Sequence, residues 1–138
     1  MICAFTGHRP ERLPWGRNED DLRCAALKTL LRRTVREVYD RGFHTFLCGC
    51  DQYFAEAVLA ARADGAQDAQ LCALVPCPSQ PDGWDEASVA RYWALLAACD
   101  QLEVLEDHYS PGCMLRRNRE MLRRAQLLIS VYDGTPGG

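Results

Sequence analysis

Thr6-Gly7-His8-Arg9 sets a hydroxyl, a glycine, an imidazole and a guanidinium side by side, directly after the apolar run Ile2 to Phe5. Gly7 permits close backbone approach, Thr6 supplies a hydroxyl, and Arg9 supplies a forked cation for an oxyanion. His8 either titrates near neutrality or serves as a fixed hydrogen-bonding group. The set suits a phosphate; the plainer reading is a strand-to-loop turn with Arg9 on a surface carboxylate. Further along, Gly49-Cys50-Asp51 separates an apolar run from a helical pattern. A helix N-terminus there offers free N–H groups to an anion, and Asp51 either caps that helix or accepts from a ribose hydroxyl. Glu56, one turn on, points back into a crevice or lies on the surface. Arg116-Arg117-Asn118-Arg119, with Arg123 and Arg124, forms a local basic cluster, although charge runs on helices are usually solvated faces. Asp133-Gly134 and Pro136-Gly137-Gly138 follow the last apolar run, where adjacent glycines suit either a phosphate turn or a flexible terminus.

These groups need a frame that brings them together. Five apolar strand candidates alternate with helical patterns: Ile2 to Thr6, His44 to Cys48, Leu71 to Val75, Leu102 to Leu105 and Leu127 to Tyr132. The fifth, rich in Leu, Ile and Val, reads as a central strand covered on both faces. Helices are expected from Asp21 to Arg41, Gln52 to Ala63, Glu86 to Cys99 and Met114 to Ala125. Leu27, Leu31, Val35 and Val38 make the apolar stripe of the first helix, with Asp20 or Asp21 capping it and Gly42 ending it. Val89, Trp93 and Leu96 are expected to face inward from the third. Strand–helix alternation of this kind argues for βαβ units. The fold expected is a single α/β domain over residues 1–138, a Rossmann-like three-layer α/β/α sandwich with a mainly parallel sheet of about five strands. In such a sheet the carboxyl ends of the strands carry the ligand, and the polar groups above fall at three strand ends. The final glycine-rich turn leads into no helix, so the chain reads as truncated after Gly138.

The chain has 138 residues, 48% hydrophobic and 25% charged, with a net charge of -3. No whole-chain basic field attracts nucleic acid or an acidic membrane, so any anion site is local. No apolar run approaches the roughly 20 residues of a spanning helix, and Met1-Ile2-Cys3 does not open a signal peptide. A cytoplasmic location is the expectation. Eight cysteines are present. Cys3, Cys48 and Cys72 fall in strands, where thiols act as small hydrophobes, and a disulfide framework is not expected. Neither Cys48 with Cys50 nor Cys72 with Cys77 has structural zinc spacing, so no metal is expected. His44 and His108 have no partner spacing. Cys50, at a helix start, is a weak candidate nucleophile without a paired base.

Phe5-Thr6-Gly7-His8-Arg9-Pro10-Glu11-Arg12-Leu13-Pro14-Trp15-Gly16 resembles the signature start of the YpsA/YoqJ-like branch of the SLOG superfamily. Asp51-Gln52-Tyr53-Phe54-Ala55-Glu56 resembles its second motif. Arg117-Asn118-Arg119-Glu120-Met121, followed by Leu128 to Gly134 and Pro136-Gly137-Gly138, resembles its third. The resemblance spans essentially the whole chain and implies a Rossmann-like fold with a nucleotide-type ligand site. Relatives in that superfamily include the Lonely Guy phosphoribohydrolases, which cleave cytokinin nucleotides, and DprA, which binds single-stranded DNA. The resemblance singles out Asn118 and Arg119 as facing the site. It also exposes a departure: the branch usually carries a longer G-x-x-x-G-x-D turn where this chain has Cys48-Gly49-Cys50-Asp51. Either the loop is shortened, with loss of N–H donors, or part of it is missing from this sequence. The Lonely Guy stretch P-G-G-x-G-T-x-x-E, whose Glu supports catalysis, is matched here only as far as Gly138.

The expected function is binding of a nucleotide or nucleotide derivative, of the ADP-ribose or NAD kind, in a sensor or regulatory role. The expected ligand contacts are Thr6, Gly7, His8, Arg9, Gly49, Asp51, Asn118, Arg119, Asp133, Gly134, Gly137 and Gly138. No cofactor is required beyond such a ligand. The alternative is an N-glycosidic or phosphoribosyl hydrolase, which needs a carboxylate to activate water or assist leaving; Asp51, Glu56, Glu120 and Asp133 are its candidates. Single-stranded DNA binding is disfavoured, because Trp15, Tyr53, Tyr92, Trp93 and Tyr132 are not interleaved with basic residues. A homo-oligomer is compatible with the resemblance, since relatives often dimerise.

Overall fold

In the computed structural model, which describes residues 1–7, 13–49 and 51–131, five strands alternate with four helices. Along the chain these are β1 (Ile2–Gly7), α1 (Leu22–Asp40), β2 (Thr45–Cys48), α2 (Gln52–Ala63), β3 (Gln70–Val75), α3 (Glu86–Ala98), β4 (Gln101–Val104), α4 (Cys113–Arg124) and β5 (Leu127–Val131). All strand pairs are parallel, in the order β4-β3-β2-β1-β5. The expected Rossmann-like α/β architecture is therefore present.

Sequence chemistry explains the helix ends. Asp21, in extended backbone, accepts from the Arg23 N–H and starts α1. At the other end Gly42, at φ 99°, follows Arg41; its N–H reaches the Tyr39 carbonyl and the Phe43 N–H reaches that of Val38. This paired arrangement satisfies the last carbonyls and needs a residue that tolerates positive φ. Asp85 starts α3 by accepting from the Ser88 N–H.

The strand order dictates the layers. From β1 to β4 the chain steps in one direction, so right-handed crossovers place α1, α2 and α3 on one face. The return from β4 to β5, beyond β1, places α4 on the opposite face. The direction of travel reverses between β1 and β5, and ligands in open α/β sheets bind outside the carboxyl ends at such a point. The larger core lies under α1–α3. Phe54 from α2 is fully buried there, stacked on Phe5 at 4.7 Å between ring centroids and tilted against Phe46 at 6.2 Å. The smaller core joins Ala4, Leu47, Cys72 and Leu74 to Met121 of α4. Cys3, Cys24, Cys48, Cys72, Cys77 and Cys113 are buried as reduced thiols, and burial pushes the Cys3 thiol up to about 11. They pack as small hydrophobes rather than as reactive groups.

Two expectations need correction. Among the described residues β5 is an edge strand, hydrogen-bonded only to β1, with Leu128 41% exposed; the strands flanked on both sides are β1, β2 and β3. Trp93 does not face inward. It is 54% exposed, while its neighbour Tyr92 is 2% exposed and sends its hydroxyl to Gln80 Oε1. Leu96 packs partly buried against the larger core as expected, while the fully buried positions of α3 are Tyr92 and Leu95.

Candidate anion site at the carboxyl edge

β1 ends at Thr6 and Gly7, with Gly7 in register with Val131 of β5. The two strands that flank the reversal thus close side by side. A Cβ on Gly7 would lie 3.1 Å from the Phe5 ring and 3.2 Å from the Val131 carbonyl, so close packing favours glycine there. β2 ends at Cys48, and Gly49 begins the turn into α2. Asp51 holds the N-cap position of α2 but makes no side-chain cap hydrogen bond.

α4 reaches this edge from the other face. Arg117 donates from Nη1 to the Gly49 carbonyl at 2.9 Å and from Nε to Asn118 Oδ1 at 2.9 Å. Its guanidinium lies flat against the Gly49 Cα: a Cβ at that position would come within 2.5 Å of Cζ and 2.9 Å of Nε. Gly49 and Arg117 therefore fit one another. The cause lies in the phase of the helix. Cys113 and Met121, both buried, stand four residues to either side of Arg117, so Arg117 shares the inward stripe of α4. Among the described residues Arg117 has no carboxylate partner, and Nη2 has no acceptor. The other arginines of this helix contrast with it. Arg116 pairs with Glu106, Arg123 with Glu120, and Arg124 with both Glu103 and Glu120. Arg124, expected on the surface, is held in a half-buried network.

The expected site residues divide accordingly. Thr6, Gly7, Gly49 and Asp51 lie at the carboxyl ends of β1 and β2. Asn118 is drawn in through Arg117, and Arg119 is exposed on α4. His8, Arg9, Cys50, Asp133, Gly134, Gly137 and Gly138 lie outside the described residues. Sequence reasoning missed Arg117 as a site residue. The available signal was a lone arginine at i+4 and i−4 from apolar residues.

Two candidate carboxylates are committed elsewhere. Glu56 accepts a two-pronged contact from Arg91 of α3, Nε to Oε1 at 2.7 Å and Nη2 to Oε2 at 2.8 Å. Glu120 accepts from Arg123 and Arg124, which hold its carboxyl down to about 2. A carboxylate so stabilised is a weak base and is not protonated near neutrality, so it is ill suited to general acid–base work. A hollow of about 390 Å³ lies on the α4 face beside Cys72, Leu74, Gln101 and Glu103. Among the described residues the cation lining it is Arg124, which is already paired. His44 sits at the amino edge, 3.0 Å from Asp68 and stacked on Tyr39, and His108 is exposed. Among the described residues no cluster of His, Cys, Asp and Glu has the makings of a metal site, and no helix is long and apolar enough to cross a membrane.

Comparison with known families completes the description. The YspA SLOG family (YpsA) matches residues 3–138. The chain belongs to the YspA SLOG family. The resemblance carried by its three motifs is therefore confirmed, and SLOG membership points toward a nucleotide-related function. At 24% identity the chain is similar to the UPF0398 protein RBAM_020340 of Bacillus velezensis, over 96% of this chain and 75% of that protein. It is also 24% identical to the UPF0398 protein ABC2016 of Shouchella clausii, over 78% of this chain and 60% of that protein.

The ion pairs of this SLOG domain predict its acid behaviour. Glu19, Glu103 and Glu106 lie below their ordinary 4.5, and Glu120 lies at about 2. For Glu103 and Glu120 the leading cause is hydrogen bonding from arginine, for Glu106 hydrogen bonding from Ser110 and then Arg116. For Glu19, burial raises the value and the hydrogen bonds from Arg91 and Lys28 outweigh it. A depressed folded-state value means stability that is complete above the unfolded value and lost as pH falls through the folded one. The urea midpoint is expected to stay level above about pH 5 and to fall continuously toward pH 2, with Glu120→Gln removing the lowest part of that fall. A midpoint unchanged down to pH 2.5 would show that these pairs contribute nothing.

Proposed function

We propose that the carboxyl edge of β1 and β2, with Arg117 over it, binds the phosphate of a nucleotide or nucleotide derivative. The domain acts as a ligand-sensing module. The observation that carries this reading is Arg117, a half-buried guanidinium that, among the described residues, has no carboxylate partner and no acceptor at Nη2. A half-buried guanidinium that no carboxylate neutralises, with one N–H edge still open, is ready to take up an anion. It stands over the end of β2, the neighbour of β1, and β1 borders the reversal where an α/β sheet receives ligands. Planar N–H groups suit phosphate oxygens better than an ammonium would. SLOG membership supplies the nucleotide as the class of phosphate carrier.

Calorimetric titration of the full-length protein with ADP-ribose, NAD and AMP, with inorganic phosphate as reference, tests the reading. Binding of at least one nucleotide, tighter than inorganic phosphate, is expected. No heat from any of the three would overturn it. Of the candidate carboxylates for the hydrolytic reading, Glu56 and Glu120 give it no comparable support, since both are held by arginines.

A further inference from the structure

The segment from Leu13 to Asp20, between β1 and α1, is fastened across the helical layer to α3 as well as to its own helix. Leu13 is buried, and a turn brings the Gly16 N–H to the Leu13 carbonyl at 2.9 Å. From there two charged side chains reach α3. Arg17 donates from Nη1 to Asp85 Oδ1 at 3.2 Å and to Ser88 Oγ at 2.7 Å, at the start of that helix. Glu19 accepts from Arg91 Nη1 at 2.6 Å, one turn further on, and also pairs with Lys28 of α1. The other face of Arg91 is the two-pronged contact on Glu56 of α2. Lys28 and Arg91 stand over the same ring, Tyr53, at 5.0 and 5.6 Å. Arg91 therefore spends Nε, Nη1 and Nη2 on two carboxylates from two different segments, and these bonds hold its guanidinium firmly protonated.

Three features make this more than an ordinary surface pair. The Arg91 side chain is 27% exposed, so its contacts are less screened than those of open pairs. Its partners lie 35 and 72 residues away, so it joins segments that share no local structure. Both segments also lead to the proposed ligand edge. Glu56 is one turn below the Asp51 N-cap, and Leu13 stands six residues along the chain from Gly7, the end of β1.

We propose that Arg91 is a positioning residue: it clamps the 13–20 strap to α2 and α3 and so sets the walls of the ligand edge without touching the ligand. The affinity part of this inference rests on the proposed nucleotide site; the clamp itself does not. Lysine cannot reproduce it, because one ammonium lacks the planar fork that serves Glu56 and Glu19 together.

Hydrogen exchange read by mass spectrometry, combined with calorimetry using ADP-ribose, NAD and AMP, tests the proposal on the full-length protein. In Arg91→Lys, amides of residues 13–20 are expected to exchange roughly tenfold faster while those of β1 and β2 keep wild-type protection, the pattern of local opening. Affinity for the nucleotide is expected to fall about tenfold, a factor typical of lost preorganisation. Glu19→Gln, which leaves the Arg91–Glu56 contact in place, is expected to reproduce the strap's exchange and to lessen its dependence on salt. It also decides the matter if Arg91→Lys fails to fold. Unchanged exchange at 13–20 in Glu19→Gln would overturn the clamp. Faster exchange with unaltered nucleotide affinity would overturn the positioning role. Faster exchange in a protein whose wild type binds none of the three nucleotides would uphold the clamp, overturn the positioning role and dismiss the ligand reading.

Discussion

Alanine at Gly49 is expected to weaken nucleotide binding by roughly ten- to a hundredfold while leaving the fold in place, the range given by losing one charge-assisted hydrogen bond of about 1.5–3 kcal/mol. The added Cβ would fall 2.5 Å from Arg117 Cζ. What it meets is the far end of a long, flexible side chain, so the guanidinium swings out and the backbone stays. Gly49 has no left-handed backbone requirement, so the substitution adds no strain of that kind. Arg117→Ala is expected to show the same loss, and the double variant no more than either single one, because both changes remove one interaction. Arg117→Lys is expected to recover part of the affinity, keeping the charge but not the planar fork. Calorimetry on the four proteins reads the cycle. Full additivity of the two changes would mean that Gly49 acts on the ligand by another route, and wild-type affinity in Arg117→Ala would remove this edge from the proposal.

How much of this was legible beforehand follows from the physics of each part. The β1–β3 strands and the helices between them stood out because buried parallel strands are written as unbroken apolar runs, and the caps at Asp21 and Gly42 are local chemistry. β5 misled for the same reason. Leu127-Leu128-Ile129-Ser130-Val131 has the composition of an inner strand, yet its place at the edge is set by the order of strands, which no five-residue window contains. In α3 the adjacent aromatics Tyr92 and Trp93 fit two helical phases equally well. The contact of Tyr92 with Gln80, from the β3–α3 loop, selects one of them. The basic cluster of α4 shows the limit most clearly. Five arginines look alike in sequence; Arg123 pairs within its own helix, but the contacts of Arg116 with Glu106, Arg117 with Gly49 and Arg124 with Glu103 depend on where the helix lies. Three of the arginines meet Glu103, Glu106 and Glu120; Arg117 meets a glycine at a strand end. The pattern Cys113, Arg117, Met121 held the one usable signal, because an arginine within an apolar stripe must either snorkel out or find a polar partner inside. Gly49, read as a donor turn for an anion, proves also to be the space into which that arginine fits.

Phe54→Ala is expected to destabilise the domain by about 3–5 kcal/mol, the range for removing a fully buried aromatic ring. Phe54 has no exposed surface, and its ring touches Phe5 of β1 and Phe46 of β2 from the first turn of α2. Deletion costs both the buried apolar area and the offset stacking, and the neighbours that would have to refill the space are strand residues held by the sheet. Small domains are stable by about 5–15 kcal/mol in total, so the loss is a large share. Phe54→Leu should cost distinctly less, and Trp93→Ala, at a ring 54% exposed, should stay near the small effects of surface changes, within about 1 kcal/mol. Urea midpoints at a common slope give all three differences. The consequence reaches the ligand edge, because Phe54 seats the same first turns of α2 that present Asp51 and Glu56. A variant that remains folded in Phe54→Leu should therefore bind nucleotide more weakly than its small loss of stability alone implies. Equal affinity in that variant would show that the α2 start is held by the Arg91 contact without help from the core.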